Sequence, residues 1–170
     1  MEIRKAEPAD LPCLADIFAE ARKTIAALGI NQWQNGYPTE DVIRRDVERG
    51  ESYAAISDGK LIGTFAMILT GEKTYDEIYD GEWKSGNENR DYLTIHRVAI
   101  SVSSRGTGAS SEIIKYAEEF ARKNGKVSIR IDTHEGNAVM RRMLEKNGFS
   151  LCGVIYLESG EARVAYEKII

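Results

Sequence analysis

Val98-Ala99-Ile100-Ser101-Val102-Ser103-Ser104-Arg105-Gly106-Thr107-Gly108-Ala109-Ser110-Ser111 reads as the end of a strand, a glycine-bearing turn and the opening of a helix. Residues 92–102 are apolar and rich in β-formers, which predicts a strand. Beyond the turn, helical patterning continues to the stop signal Asn124-Gly125. Glycine at such a turn lets the backbone approach a ligand closely. The first turn of a helix carries amide N–H groups without intrahelical partners, and its dipole favours an anion. Arg105 adds a guanidinium able to grip phosphate through two charge-assisted hydrogen bonds. Arg105, Gly106, Thr107, Gly108, Ala109, Ser110 and Ser111 are therefore the candidate pyrophosphate site. The plainer alternative is a glycine turn that only starts a helix.

Two better-known phosphate motifs fit poorly. A dinucleotide fingerprint would want its glycines after the first strand, with an acid about 20 residues on. Asp132 lies near that distance, but the loop sits late in the chain and too little sequence follows for a full doubly wound sheet. The GxxxxGK[ST] loop is absent.

Outward from the loop, the chain predicts alternating strands and helices. Residues 2–5 form a short strand. A helix then starts at Glu7-Pro8-Ala9-Asp10, with Leu11, Leu14, Ile17, Phe18, Ala21, Ile25 and Leu28 at helical spacing and Gly29 as its stop. A second helix spans 39–50 with Thr39 as N-cap. Residues 52–57 and 60–70 flank Asp58-Gly59, a hairpin signal. The polar stretch 71–91, too long for an ordinary loop, is a candidate functional segment. A strand over 127–133, a helix over 137–147 and a closing hairpin of 149–157 and 162–169 complete a mixed α/β pattern. No linker or repeat divides it, so one domain over 1–170 is expected.

Bulk properties narrow the classes. With 42% hydrophobic and 29% charged residues the chain is of ordinary globular composition, and a net charge of -4 argues against nucleic acid as partner. Cys13 and Cys152 have neither disulfide-framework nor zinc spacing and are expected as reduced core residues; no metal is expected. The charged N-terminus is unlike a signal peptide, and no apolar run suffices for a membrane span. A cytoplasmic protein without membrane partners is the expectation, and a homodimer stays open.

Val98-Ala99-Ile100 followed by Arg105-Gly106-Thr107-Gly108-Ala109-Ser110 resembles the acetyl-CoA motif of the GNAT superfamily, Arg/Gln-x-x-Gly-x-Gly/Ala. Asn137 followed by Glu145-Lys146-Asn147-Gly148-Phe149 is similar to that family's next motif, in the same order and spacing. The resemblance implies a GNAT acyl-CoA N-acyltransferase fold. In it a central twisted, mostly antiparallel sheet, splayed between two parallel strands, is flanked by helices. It also implies acetyl-CoA as co-substrate, with the pantetheine arm on Val98, Ala99 and Ile100, the pyrophosphate on 105–111, and Asn137 against the arm. The implied activity is acetyl transfer to an amine of a small molecule, amino acid or peptide by direct attack in a ternary complex. Two positions depart from the pattern: Ser110 stands where Gly or Ala is preferred, and Leu144 where many members carry a thiolate-protonating Tyr. Leu144 favours the alternative of a non-catalytic acyl-CoA-binding or sensing module. A nucleotide-binding regulatory domain is a third reading.

An acceptor amine must lose a proton before it attacks, and imidazole titrates near neutrality, so His96 is the candidate general base. Two-residue alternation places Thr94, His96, Val98 and Ile100 on one face. His134, sharing a face with Asp132, is a second candidate; a loop-ordering histidine is the plainer reading. Tyr156, Tyr166 and Tyr79 are candidates for the acid, as is water. Trp33, Tyr79 and Trp83 are candidate acceptor contacts, with loop anchoring as the alternative for the tryptophans. Asp76, Glu77, Asp80 and Glu82 would attract a cationic acceptor, although charge runs are usually just solvated.

Overall fold

Local signals in the sequence set most element boundaries. The computed structural model describes residues 1–170, and its backbone gathers into two units, Met1–Met67 with His96–Tyr116, and Ile68–Ile95 with Ala117–Ile170. Strand β4 (Tyr92–Ile100) and helix α3 (Ala109–Lys123) contribute residues to both.

The first unit holds β1 (Glu2–Lys5), α1 (Leu11–Ala26), α2 (Glu40–Glu48), β2 (Ser52–Ser57) and all but the last residue of β3 (Lys60–Ile68). Helix α1 follows a short 3-10 turn, Pro8–Asp10. The Asp10 carboxylate accepts hydrogen bonds from the Glu7 amide at 2.8 Å and from Arg4 at 2.7 and 3.0 Å, which fixes the entry to the helix. Leu14, Ile17, Phe18, Ala21 and Ile25 form its buried stripe. Leu28, expected to extend the stripe, lies beyond the helix and is exposed, because the chain turns there and Gly29 takes a left-handed φ of 72°. Thr39 caps α2 by accepting from the Val42 amide at 3.3 Å. Ile43 and Val47 of α2 join Leu14, Ile17, Phe18, Ala54 and Ala99 in one core. At the β2–β3 turn Asp58 and Gly59 have φ of 50° and 73°, the left-handed pair a two-residue hairpin turn requires.

The second unit contains β5 (Ser128–Thr133), α4 (Ala138–Lys146), β6 (Ser150–Tyr156) and β7 (Ala162–Ile169). Strand β4 pairs parallel with β5, matching Tyr92, Leu93 and Thr94 to Ser128, Ile129 and Arg130. Strand β7 pairs antiparallel with both β5 and β6. The seven strands run in the order β1-β2-β3-β4-β5-β7-β6, a mostly antiparallel mixed sheet as expected.

The long segment 71–91 has little regular structure beyond a 3-10 turn at Lys73–Tyr75, yet it is firmly anchored. Tyr75 and Trp83 pack with Tyr92, Cys152, Ile155 and Ala165. The Arg130 guanidinium lies 4.2 Å from the Trp83 ring centre and 4.1 Å from that of Tyr92. It donates to Glu167 at 2.9 Å and to the Gly86 carbonyl at 3.0 Å. Residue 79 bridges to Val154, and the approach is so close that a Cβ on Gly81 would lie 1.9 Å from the Cys152 carbonyl oxygen. The cysteine expectation is half corrected. Cys152 is buried, and burial pushes its thiol up, but Cys13 is exposed, on the outward side of the α1 stripe.

Candidate functional site

In the first unit the predicted loop closes on itself. Thr107 donates its hydroxyl to the Ser104 carbonyl at 2.7 Å. Glu20 of α1 accepts from the Val102 amide at 3.0 Å. The Gly108 carbonyl receives the Ser111 and Glu112 amides at 3.0 and 3.2 Å, which opens α3. Gly106 and Gly108 have φ of 75° and 90°, in the left-handed region that favours glycine, and no atom lies within 4 Å of a Cβ built on either. The backbone there is open to solvent. It stands at the positive end of a fifteen-residue helix, beside an exposed Arg105. Ala109 is buried and anchors the turn, while Ser110 and Ser111 are half-buried.

The strand before the loop has one ordered edge. Ser101 donates its amide to the Ile62 carbonyl at 2.8 Å, and a Cβ on Gly63 would lie 3.1 Å from the Ala99 carbonyl oxygen. Residues 99 and 101 thus turn their backbone groups toward β3. By strand alternation, Val98 and Ile100 present an N–H and a C=O to the opposite edge. That pairing of donor and acceptor suits an extended ligand carrying amides.

The simple alternation expected through β4 does not hold. Arg97 has a φ of 55°, and a regular pleat does not pass through a left-handed residue. Thr94 and His96 therefore do not share one continuous face with Val98 and Ile100. The Arg97 guanidinium donates to Asp46 at 2.6 and 3.0 Å and to the Tyr37 hydroxyl at 2.7 Å. Asp46 is buried; burial pushes its carboxyl up, against the pull of the neighbouring guanidinium. His96, the residue before Arg97, is half-buried. Trp33, also half-buried and left-handed at φ 62°, packs edge-on against Phe18 at 5.9 Å and tilts over Tyr37 at 6.2 Å. The sequence reading missed the Arg97, Asp46 and Tyr37 cluster. Its readable signal was Asp46 on the buried stripe of α2, between Ile43 and Val47.

In the second unit Asn137 caps α4, accepting from the Met140 amide at 3.1 Å. His134 accepts from the Gly136 amide at 3.0 Å through Nδ1, so it orders its own loop. Asp132 takes the Tyr75 hydroxyl at 2.6 Å. Trp83 corrects its assignment as an acceptor contact: it is 2% exposed, and its indole N–H donates to the Tyr75 carbonyl at 3.0 Å, so it anchors the loop. Tyr79 is exposed and meets Tyr156 edge-on at 5.3 Å, in a cleft of about 350 Å³ that also includes Asp76, Glu77 and Glu158. Among the acid candidates, Tyr166 is fully buried; its hydroxyl accepts from Arg141 at 3.0 Å and donates to Glu145 at 3.2 Å. Leu144 is wholly buried. No group of three or more His, Cys, Asp or Glu residues is placed to hold a metal ion, and no helix is long and apolar enough to cross a membrane.

Known proteins share this architecture. A crystallised GNAT-family acetyltransferase from Streptococcus agalactiae 2603 is 36% identical and superposes with a TM-score of 0.89, over 99% of this chain and 95% of that one. PaiA N-acetyltransferase of Thermoplasma acidophilum, crystallised with coenzyme A, shares the fold at 19% identity and a TM-score of 0.74, over 99% of this chain and 98% of that one. An uncharacterized N-acetyltransferase, YesJ of Bacillus subtilis (strain 168), is 23% identical over 146 residues, 85% of this chain and 78% of that protein. The sequence profile of the Acetyltransferase (GNAT) family matches residues 16–149. With its glycine turn at the mouth of α3, the chain belongs to the GNAT acetyltransferase family.

Proposed function

We propose that this protein is an acetyl-CoA-dependent N-acetyltransferase acting on a primary amine of a small molecule, amino acid or peptide. The observation that carries the reading is the loop 105–111, with two left-handed glycines under open space at a helix N-terminus. These residues fit a diphosphate: amides and the α3 dipole meet the anion, and Arg105 adds charge. The coenzyme A bound by the Thermoplasma relative supports this assignment. Val98 and Ile100 offer the backbone edge for the amides of the pantetheine arm.

In the reaction the amine nitrogen forms a bond to the thioester carbon, and the carbon–sulfur bond breaks. The amine proton passes to a base, for which His96 is the candidate, directly or through water. Preorganised backbone N–H groups, such as those of β4, stabilise negative charge on the thioester oxygen. The thiolate takes its proton from water or an exposed tyrosine, since Leu144 has no proton to give and Tyr166 is committed to Arg141 and Glu145. The buried Leu144 also favours a second reading, a module that binds acyl-CoA without turnover.

The test combines binding and turnover. Acetyl-CoA is expected to raise the melting temperature where NAD and ATP do not, and at least one amine of a panel should release CoA above hydrolysis. Gly108→Trp should abolish the shift, since a Cβ there meets no protein atom within 4 Å and leaves the ring to occupy the space over the loop; a circular dichroism spectrum of wild-type shape checks that the fold tolerates a side chain at a φ of 90°. Binding without turnover selects the second reading, and an unchanged shift in Gly108→Trp removes the loop from the argument.

A further inference from the structure

A left-handed arginine in the middle of a strand is an anomaly that needs a cause. Side chains with a Cβ avoid that conformation, and such residues persist only where their surroundings over-determine them. Arg97 is over-determined. Its guanidinium is held by the buried Asp46 carboxylate through two bonds, at 2.6 and 3.0 Å, and by the Tyr37 hydroxyl at 2.7 Å. The planar fork of arginine matches a carboxylate in a way lysine cannot. The very next residue is Val98, which with Ile100 turns its backbone groups away from β3. Ala99 between them is buried in the core, so the segment has little freedom apart from the bend at Arg97.

We infer that Arg97, locked by Asp46 and Tyr37, is a positioning residue that sets the direction of the 98–100 backbone for the pantetheine arm of acetyl-CoA. The inference rests on the reading of the site given above and adds to it the device that aims one part of it. The role belongs to the backbone conformation and not to the charge, since the guanidinium is consumed by its two partners.

The two halves of the ligand allow a clean test. Acetyl-CoA probes loop and strand together, whereas 3′-phospho-ADP, the same molecule without its arm, probes the loop alone. Calorimetric titration of both is expected to show that Arg97→Ala weakens acetyl-CoA by about tenfold to a hundredfold, the range set by the strain that left-handed backbone stores. The fragment should change by less than about twofold. Arg97→Gly discards the same contacts but accepts a positive φ without cost, so its acetyl-CoA affinity should recover to within about threefold of the wild type. Tyr37→Phe, which keeps the buried ion pair, should weaken acetyl-CoA alone and by less than Arg97→Ala. Equal losses in Arg97→Ala and Arg97→Gly would overturn the inference, as would parallel losses for both ligands or an unaffected Tyr37→Phe. A wild type that binds neither ligand would instead overturn the assignment of the loop.

Discussion

The ion pair between Arg130 and Glu167 offers a stability test whose size follows from the structure. Arg130 is 1% exposed and Glu167 wholly buried. The carboxylate also accepts from the Ser85 amide at 3.0 Å and from the Ser85 and Ser128 hydroxyls, each at 2.6 Å. Glu167→Leu would strand a guanidinium between two aromatic rings with no counter-charge. A buried pair broken from one side costs about 3–5 kcal/mol. Arg130→Met preserves volume but forfeits a desolvated cation–π contact of about 2 kcal/mol. It also leaves the Gly86 carbonyl without its donor and the buried Glu167 carboxylate with only its serine donors, so its cost is at least as large. Arg130→Met with Glu167→Leu removes both charges, and apolar replacement of a whole buried pair is often near neutral. The double variant should therefore lose no more than the worse single variant, far short of the sum. Urea unfolding followed by tryptophan fluorescence measures all three. At a slope of about 2 kcal/mol/M, each single change lowers the midpoint by roughly 1.5–2.5 M. A double variant whose loss equals the sum of the singles would show that the pair is not coupled, and the reasoning would fail.

Two further outcomes are expected. His96→Ala should lower kcat and change the shape of the pH–rate profile at neutral pH; a profile of wild-type shape would end its candidacy as base. Acid should destabilise the fold through specific carboxylates. Burial alone would raise the Glu167 carboxyl, but hydrogen bonds from Ser128, Ser85 and Arg130 outweigh it and hold it below its ordinary 4.5. The Arg4 hydrogen bonds hold Asp10 below 3.8. Both groups bind fewer protons when folded, so their contribution is complete above the unfolded values and is lost as pH falls through the folded ones. These two groups should make urea midpoints decline below about pH 5, opposed in part by Asp46, whose burial-raised carboxyl binds more protons when folded. Glu167→Gln should make that decline shallower, and an identical decline would refute the assignment.

The elements themselves were readable because their signals are local. Thr39, Asp58-Gly59, Asn137 and Gly148 act as cap, turn and stop within a few residues of where they stand in the chain. The glycine turn at 105–111 and the helix it opens were readable for the same reason. What stayed hidden depends on partners distant in sequence. Arg97 reads as one residue of an alternating strand until Asp46, fifty-one positions away, is brought against it. Trp83 reads as an aromatic in a polar loop until Arg130 and Tyr75 close around it. Cys13 was misjudged by composition alone: its neighbours are apolar, but its position on α1 faces away from the stripe that packs.

Arg97 and Arg130 together show what buried charge accomplishes in this chain. Each stands within a strand, each is paired with a carboxylate on another element, and each lies against aromatic or phenolic side chains. Apolar residues could supply comparable stability at either place, because desolvation consumes most of the attraction within a buried pair. They could not supply direction. A methionine at 97 would pack in several rotamers and leave the backbone free to return to the extended region, whereas a forked guanidinium bound at three atoms admits one arrangement. At 130 the same fork ties Ser85 and Gly86 of a long irregular segment to the sheet, where hydrophobic contact alone would fix no register. On this argument the two arginines are kept for uniqueness. Replacing either arginine together with its carboxylate by apolar residues should therefore alter backbone direction at 97 and loop order at 130 more than it alters overall stability.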